Sequence, residues 1–213
     1  MRRTADELPA ISEDLLYELQ MLFRTADALR DDIQGDEPHS MPWATRMACI
    51  EAFVIHARVL HAFLWDKPRK GFPDDALAID FFDDGVWEAI RNNVQDGALD
   101  GLRERAGIEI AHLSYRRTNR AETEREWKFD VIAGVIGNAM RLFLANVSRD
   151  LLCDGFEKRL RATWPGYLNH RIAMSFPPDC DTLPAIRVAT QSLQDMSQIQ
   201  STGFEEMLPK DRP

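Results

Sequence analysis

The stretch Leu99-Asp-Gly-Leu-Arg-Glu-Arg105-Ala-Gly-Ile-Glu109-Ile-Ala-His112-Leu-Ser-Tyr-Arg-Arg117 carries two helical stripes at once. At about 100° per residue, Leu99, Leu102, Ala106, Ile110 and Leu113 fall on one side of a helix. Arg105, Glu109, His112 and Arg116 fall on a second stripe beside them. The spacing therefore predicts a helix over residues 98–117 with one core face and one chemically loaded face. The same periodicity recurs through the chain, and the fold class it predicts is all-α.

Upstream, Ile11, Leu15, Leu19, Leu22, Ala26, Leu29 and Ile33 recur at three- and four-residue steps. Ser12, with Glu13 and Asp14 behind it, is the expected start, because a serine hydroxyl caps free amides and acids suit the positive first turn. Gly35 and Pro38 end that helix. A second helix is expected from Ser40 and Pro42 to Trp65, with Ala48, Ala52, Ile55, Val59 and Phe63 on its core face and Phe53 and Leu60 widening it. His56 falls inside this apolar arc. Desolvation of its ring demands a hydrogen-bond partner, so it reads first as a satisfied core histidine.

Pro68, Gly71 and Pro73 then break the chain, and short helices around residues 74–93 are expected to pack across one end of the bundle. Beyond the 98–117 helix, residues 124–152 form a wide apolar arc with Gly134 and Gly137, as expected of a helix at a bundle centre. After Cys153-Asp-Gly155 come a short basic helix over residues 156–163, a last helix over residues 183–198, and a tail. The expected architecture is a bundle of four principal helices with short accessory helices (residues 1–152) and a C-terminal helical extension (residues 153–213).

Composition narrows the classes of function. The 213 residues carry a formal net charge of -9, which opposes nucleic-acid binding by bulk electrostatics. Positive residues nevertheless prevail locally, where Arg103, Arg105, Arg116, Arg117, Arg120, Arg125 and Lys128 outnumber the acids between them. Cys49, Cys153 and Cys180 are an odd number without a Cys-x-x-Cys pair, so neither a disulfide framework nor zinc is expected, and a cytoplasmic setting fits best. No secretion signal is expected, because Thr4-Ala-Asp6-Glu7-Leu8-Pro9 follows Met1-Arg2-Arg3 where an uninterrupted apolar stretch would be needed. No membrane span is expected, since residues 131–147 carry Asn138, Arg141 and Asn146 and fall short of roughly 20 apolar residues.

Two metal readings fail on spacing. His56 and His61 are five residues apart, a rotation of about 140°, and no Glu-x-x-His pair suggests a carboxylate-bridged centre. Neither a metal nor any other cofactor is expected.

On a continuous helix Arg105 and His112 are two turns apart, about 10 Å along the axis. A fixed cationic fork and a group that titrates near neutrality then face one anion, an arrangement suited to chemistry at a phosphodiester. Glu109 lies between them, positioned to orient either one. Glu51, His56 and Arg58 complete a candidate polar cluster if the two helices pack together.

The Arg105-to-His112 spacing resembles the Arg-x(4 to 6)-His motif of the HEPN superfamily. Ile110-Ala-His112-Leu-Ser-Tyr115 and Glu51-Ala-Phe-Val-Ile-His56-Ala-Arg58 look like an uncharacterised bacterial branch of it, related to abortive-infection and toxin proteins. The resemblance implies a compact helical bundle, commonly a homodimer, and a metal-independent endoribonuclease of a toxin or anti-phage system. His112 would handle protons during attack by the RNA 2′-hydroxyl, Arg105 would stabilise charge on the phosphate, and Arg116, Arg117 and Arg120 would guide the RNA backbone. One position departs from the pattern: Ala106 follows the motif arginine where active members usually carry a polar residue. Other members have lost catalysis, so a non-catalytic module that dimerises or binds a protein partner stands as the alternative. The bland reading of the loaded stripe is a solvated face of salt bridges, each contributing about 0.2 to 0.5 kcal/mol.

Overall fold

In the computed structural model the described residues are 6–92, 94, 96–111 and 127–163. His112, Arg116, Arg117, Arg120 and the expected 183–198 helix lie outside them. Among the described residues the chain is helical, with a single isolated antiparallel bridge between Arg69 and Phe72 and no sheet.

Helix α1 spans Glu7–Gln34 and buries Leu8, Leu15, Leu16, Leu19, Leu22, Phe23, Ala26 and Leu29. It begins five residues before the expected Ser12. Pro9 is tolerated because the first-turn amides have no intrahelical partner to lose. Ser12 is not a cap but a fully buried link: its hydroxyl donates to the Pro9 carbonyl at 2.8 Å and accepts the Cys153 amide at 2.6 Å. At Gly35 the helix ends, where a Cβ would collide with the Asp31 carbonyl oxygen.

The turn into α2 (Trp43–Trp65) is fixed by a buried charge. Asp32 accepts the Arg46 Nε at 2.6 Å and the Met41 amide at 2.8 Å. The Arg46 hydrogen bond, helped by the Met41 amide, holds the Asp32 carboxyl below the usual carboxylate range against the opposing effect of burial.

On α2 the buried positions are Phe53, Val54, His56, Ala57, Leu60, Phe63 and Leu64. The expected core face is therefore rotated: Ile55 and Val59 are 49% and 42% exposed. A helix apolar nearly all round does not specify by periodicity which arc turns inward, so packing partners decide. By length and composition alone α2 and α5 (Phe129–Asn146) are long and apolar enough to cross a membrane, a test that buried core helices also pass; 39% and 50% of the relevant windows are buried within the structure.

Short elements close the C-terminal end of α2, as expected. A 3₁₀ turn (Ala78–Phe81) and helix α3 (Val86–Arg91) bring Trp87 Nε1 within 2.8 Å of the Leu64 carbonyl and Arg91 within 2.9 Å of the Trp65 carbonyl. Those carbonyls have no intrahelical donor, and α3 supplies one. Phe63, Phe81, Phe82 and Trp87 meet Phe143 of α5 edge-on, with ring centroids 5.3 to 5.7 Å away.

The expected 98–117 helix is broken within its described part: a 3₁₀ turn (Gly97–Leu99), helix α4 (Leu102–Ala106) and a π-helical turn (Gly107–Ala111) follow one another. Gly101, at φ +71°, makes the left-handed step that starts α4. Helix α5 is shorter than the 124–152 expectation, yielding after Val147 to a 3₁₀ turn (Arg149–Leu151). Helix α6 (Phe156–Thr163) lies on α1, with Arg159 reaching Glu13 at 2.6 Å. Among the described residues three long helices, α1, α2 and α5, pack mutually.

Phe143→Ala is expected to cost about 3 to 5 kcal/mol in urea unfolding, because it removes the ring that four others converge on. Ile33→Ala, at a position 48% exposed, is expected to stay within about 0.5 kcal/mol. The Asp32 carboxyl is depressed on folding, so its stabilisation is present above the unfolded carboxylate range and lost as pH falls through the folded value. Arg46→Met is therefore expected to lower Tm most at neutral pH, with the gap to wild type narrowing towards pH 3.

Candidate functional site

Helix α4 is laid down by its apolar positions. Leu99, Leu102 and Ala106 are buried, as the stripe predicts, and α4 packs on α2. Ile110 is half-buried, and Leu113 lies outside the described residues. On the other stripe, Arg105 Nε donates to Glu109 Oε1 at 2.9 Å, and its guanidinium carbon sits 3.7 Å from the centroid of the Trp127 ring. The side chains of Arg105 and Glu109 are only 20% and 16% exposed, and Trp127 is buried. These two residues are not solvated. A desolvated guanidinium is stabilised here by a carboxylate in its plane and an aromatic face against it.

The π turn changes the geometric premise. A π turn closes i→i+5 hydrogen bonds and so disturbs the α-helical phase on which Arg105 and His112 share a stripe. Such turns inside helices recur at functional sites.

The supporting residues divide into separate groups. His56 is 8% exposed, and its Nδ1 lies 2.7 Å from Glu18 Oε2 on α1, with Tyr17 edge-on at 5.7 Å. Its required partner is thus Glu18 rather than Glu51, Arg58 or Arg105. Glu51 and Arg58 are exposed on α2. The Arg105–Glu109 pair is formed as the four-residue spacing suggests.

Arg58 instead lines two depressions that both include residues of α4. One is an open recess of about 640 Å³ that also includes His61, Arg103, Glu104, Gly107 and Ile108. The other is a groove of about 430 Å³ between α1, α2 and α4. Arg103 lines both, and donates to Asp66 at 2.8 Å. His61 stacks on Trp65 at 5.4 Å, and its buried Nδ1 has no hydrogen-bond partner. Burial pushes the His61 pKa below the ordinary histidine value, with the Asp66 and Asp96 carboxylates opposing that effect. A neutral imidazole and two arginines thus border the segment that carries Arg105.

Glu18, His61, Arg103 and Trp127 were not singled out as site residues by the sequence. Only the buried position of His56 gave a signal, since it required some partner. Among the described residues no group of three His, Cys, Asp or Glu is placed to hold a metal ion. No protein-family model, curated protein or solved structure matches the chain.

Arg105→Ala strips Trp127 and Glu109 of a shared partner and is expected to destabilise the fold by about 1 to 3 kcal/mol in urea unfolding. Arg103→Ala removes a pair whose arginine is 43% exposed and is expected to cost under about 1 kcal/mol.

Proposed function

We propose that this chain is a HEPN-like helical protein of the cytoplasm, directed at RNA through the segment 105–112, and acting as a metal-independent endoribonuclease of a toxin or anti-phage system. The observation that carries this reading is the state of Arg105. It is partly buried, held by Glu109 and Trp127, and followed at once by a π turn, with Arg58, Arg103 and the neutral His61 bordering the same segment. A solvated helix face needs none of these features. In the proposed reaction His112 accepts the 2′-hydroxyl proton and the 2′-oxygen bonds to phosphorus. The bond to the 5′-oxygen then breaks, and that oxygen takes up a proton. The products are a 2′,3′-cyclic phosphate and a 5′-hydroxyl, with Arg105 stabilising the phosphate charge, Arg116, Arg117 and Arg120 guiding the strand, and a homodimer as the active species.

A second reading has one specific observation in its favour. The Arg105 guanidinium is already engaged by Glu109 and Trp127, which suits a non-catalytic module in which this residue holds the fold and the surface binds a protein partner.

Cleavage of a mixed single-stranded RNA and tRNA pool in EDTA separates the two. The ribonuclease reading expects cutting with cyclic phosphate ends by the wild type, reduced at least 100-fold in His112→Ala and in Arg105→Lys of verified fold. Equal cutting by all three proteins, or none by the wild type, rejects it in favour of the interaction module.

A further inference from the structure

The groove between α1, α2 and α4 shares Arg58 and Arg103 with the recess of the RNA reading but has a lining of a different kind. Its floor and walls include Leu15, Val59, Ala62, Phe63, Leu77 and Ile110, aliphatic except for one ring. Its volume of about 430 Å³ falls in the range of small-ligand sites, which are mostly apolar with a few placed polar groups. A lining of helical aliphatic side chains offers little to read the edge of a base or sugar. It suits a flexible alkyl chain.

The rim decides the headgroup. Arg69 and Asp75 neutralise one another at 2.6 Å, Glu18 is bonded to His56, and Arg103 is bonded to Asp66. Arg58, exposed on α2, has neither hydrogen bond nor ion pair among the described residues. It stands where the apolar groove and the open polar recess share a border. Asp14 and Glu18 on the α1 side disfavour an anion there, which directs a negative headgroup towards Arg58. We propose that this groove binds a free single-chain amphipathic anion, its alkyl chain on the aliphatic floor and its carboxylate or phosphate at Arg58.

Calorimetric titration of the full chain tests this with octanoate, decanoate and dodecanoate. Affinity is expected to rise about fourfold per methylene until the groove is filled. Arg58→Gln should weaken decanoate binding at least fivefold while leaving decanol unchanged, and decylammonium should bind less tightly than decanoate. Ala62→Trp, checked for native helicity by circular dichroism, should abolish binding by filling the groove. The proposal is overturned if wild type binds no alkyl anion, if neither variant alters binding, or if decylammonium binds as well as decanoate. It is likewise overturned if only anionic phospholipid vesicles bind. A wild-type dimer in light scattering that Val59→Asp dissociates, without alkyl binding, would assign the groove to a second copy instead.

Discussion

Helix α2 must be covered, and the rest of the described structure depends on how that is done. Its 23 residues, Trp43–Trp65, are apolar nearly all round, so no single neighbour can remove them from water. Helix α1 takes the longest contact, α5 and α4 take further arcs, and the 3₁₀ turn at Ala78–Phe81 closes over Phe63. Even its last carbonyls are supplied with donors, by Trp87 and Arg91 of α3. Apart from Trp43 at its start, what α2 leaves uncovered is the arc of Ile55 and Val59, and that arc is one wall of the aliphatic groove. Core and groove thus arise from the same excess of apolar surface.

That excess also explains which parts of the fold were legible beforehand. The α1 stripe has polar residues opposite it, so periodicity alone identified Leu15, Leu19, Leu22, Ala26 and Leu29 as core, and all five are buried, whereas Ile11 and Ile33 at the ends of the same stripe are half-buried and exposed. On α2 the pattern contains too many acceptable arcs: Phe53, Leu60 and Phe63 are buried as expected, but the choice of Val54, Ala57 and Leu64 over Ile55 and Val59 is made by partners distant in sequence. Ser12 shows a different limit. Its hydroxyl reads as a cap, yet it serves Cys153, 141 residues away, and no local pattern contains that information.

The candidate site divides along the same line. Arg105 and Glu109 are four residues apart, and their pairing was readable because it is local. The aromatic face over Arg105 comes from Trp127, across a chain segment whose path the sequence did not specify. His56 announced a need for a partner, but Glu18 lies 38 positions upstream on a neighbouring helix. The π turn was illegible for another reason: it is a rearrangement of the backbone hydrogen-bond ladder, and an apolar stripe assigned at the α-helical angle conceals it.

Ala106 connects this packing to the proposed chemistry. It is 3% exposed, on the face that α4 turns towards α2. A polar side chain there would lose its water without an evident partner, a cost of at least about 1 kcal/mol. The apolar residue after Arg105 is therefore required by the same covering of α2 that organises the fold. A polar group in that position is disfavoured while α4 lies as it does. Polar contacts beside Arg105 are therefore left to other positions. Arg103, on α4, and Arg58, on α2, line the open recess beside it.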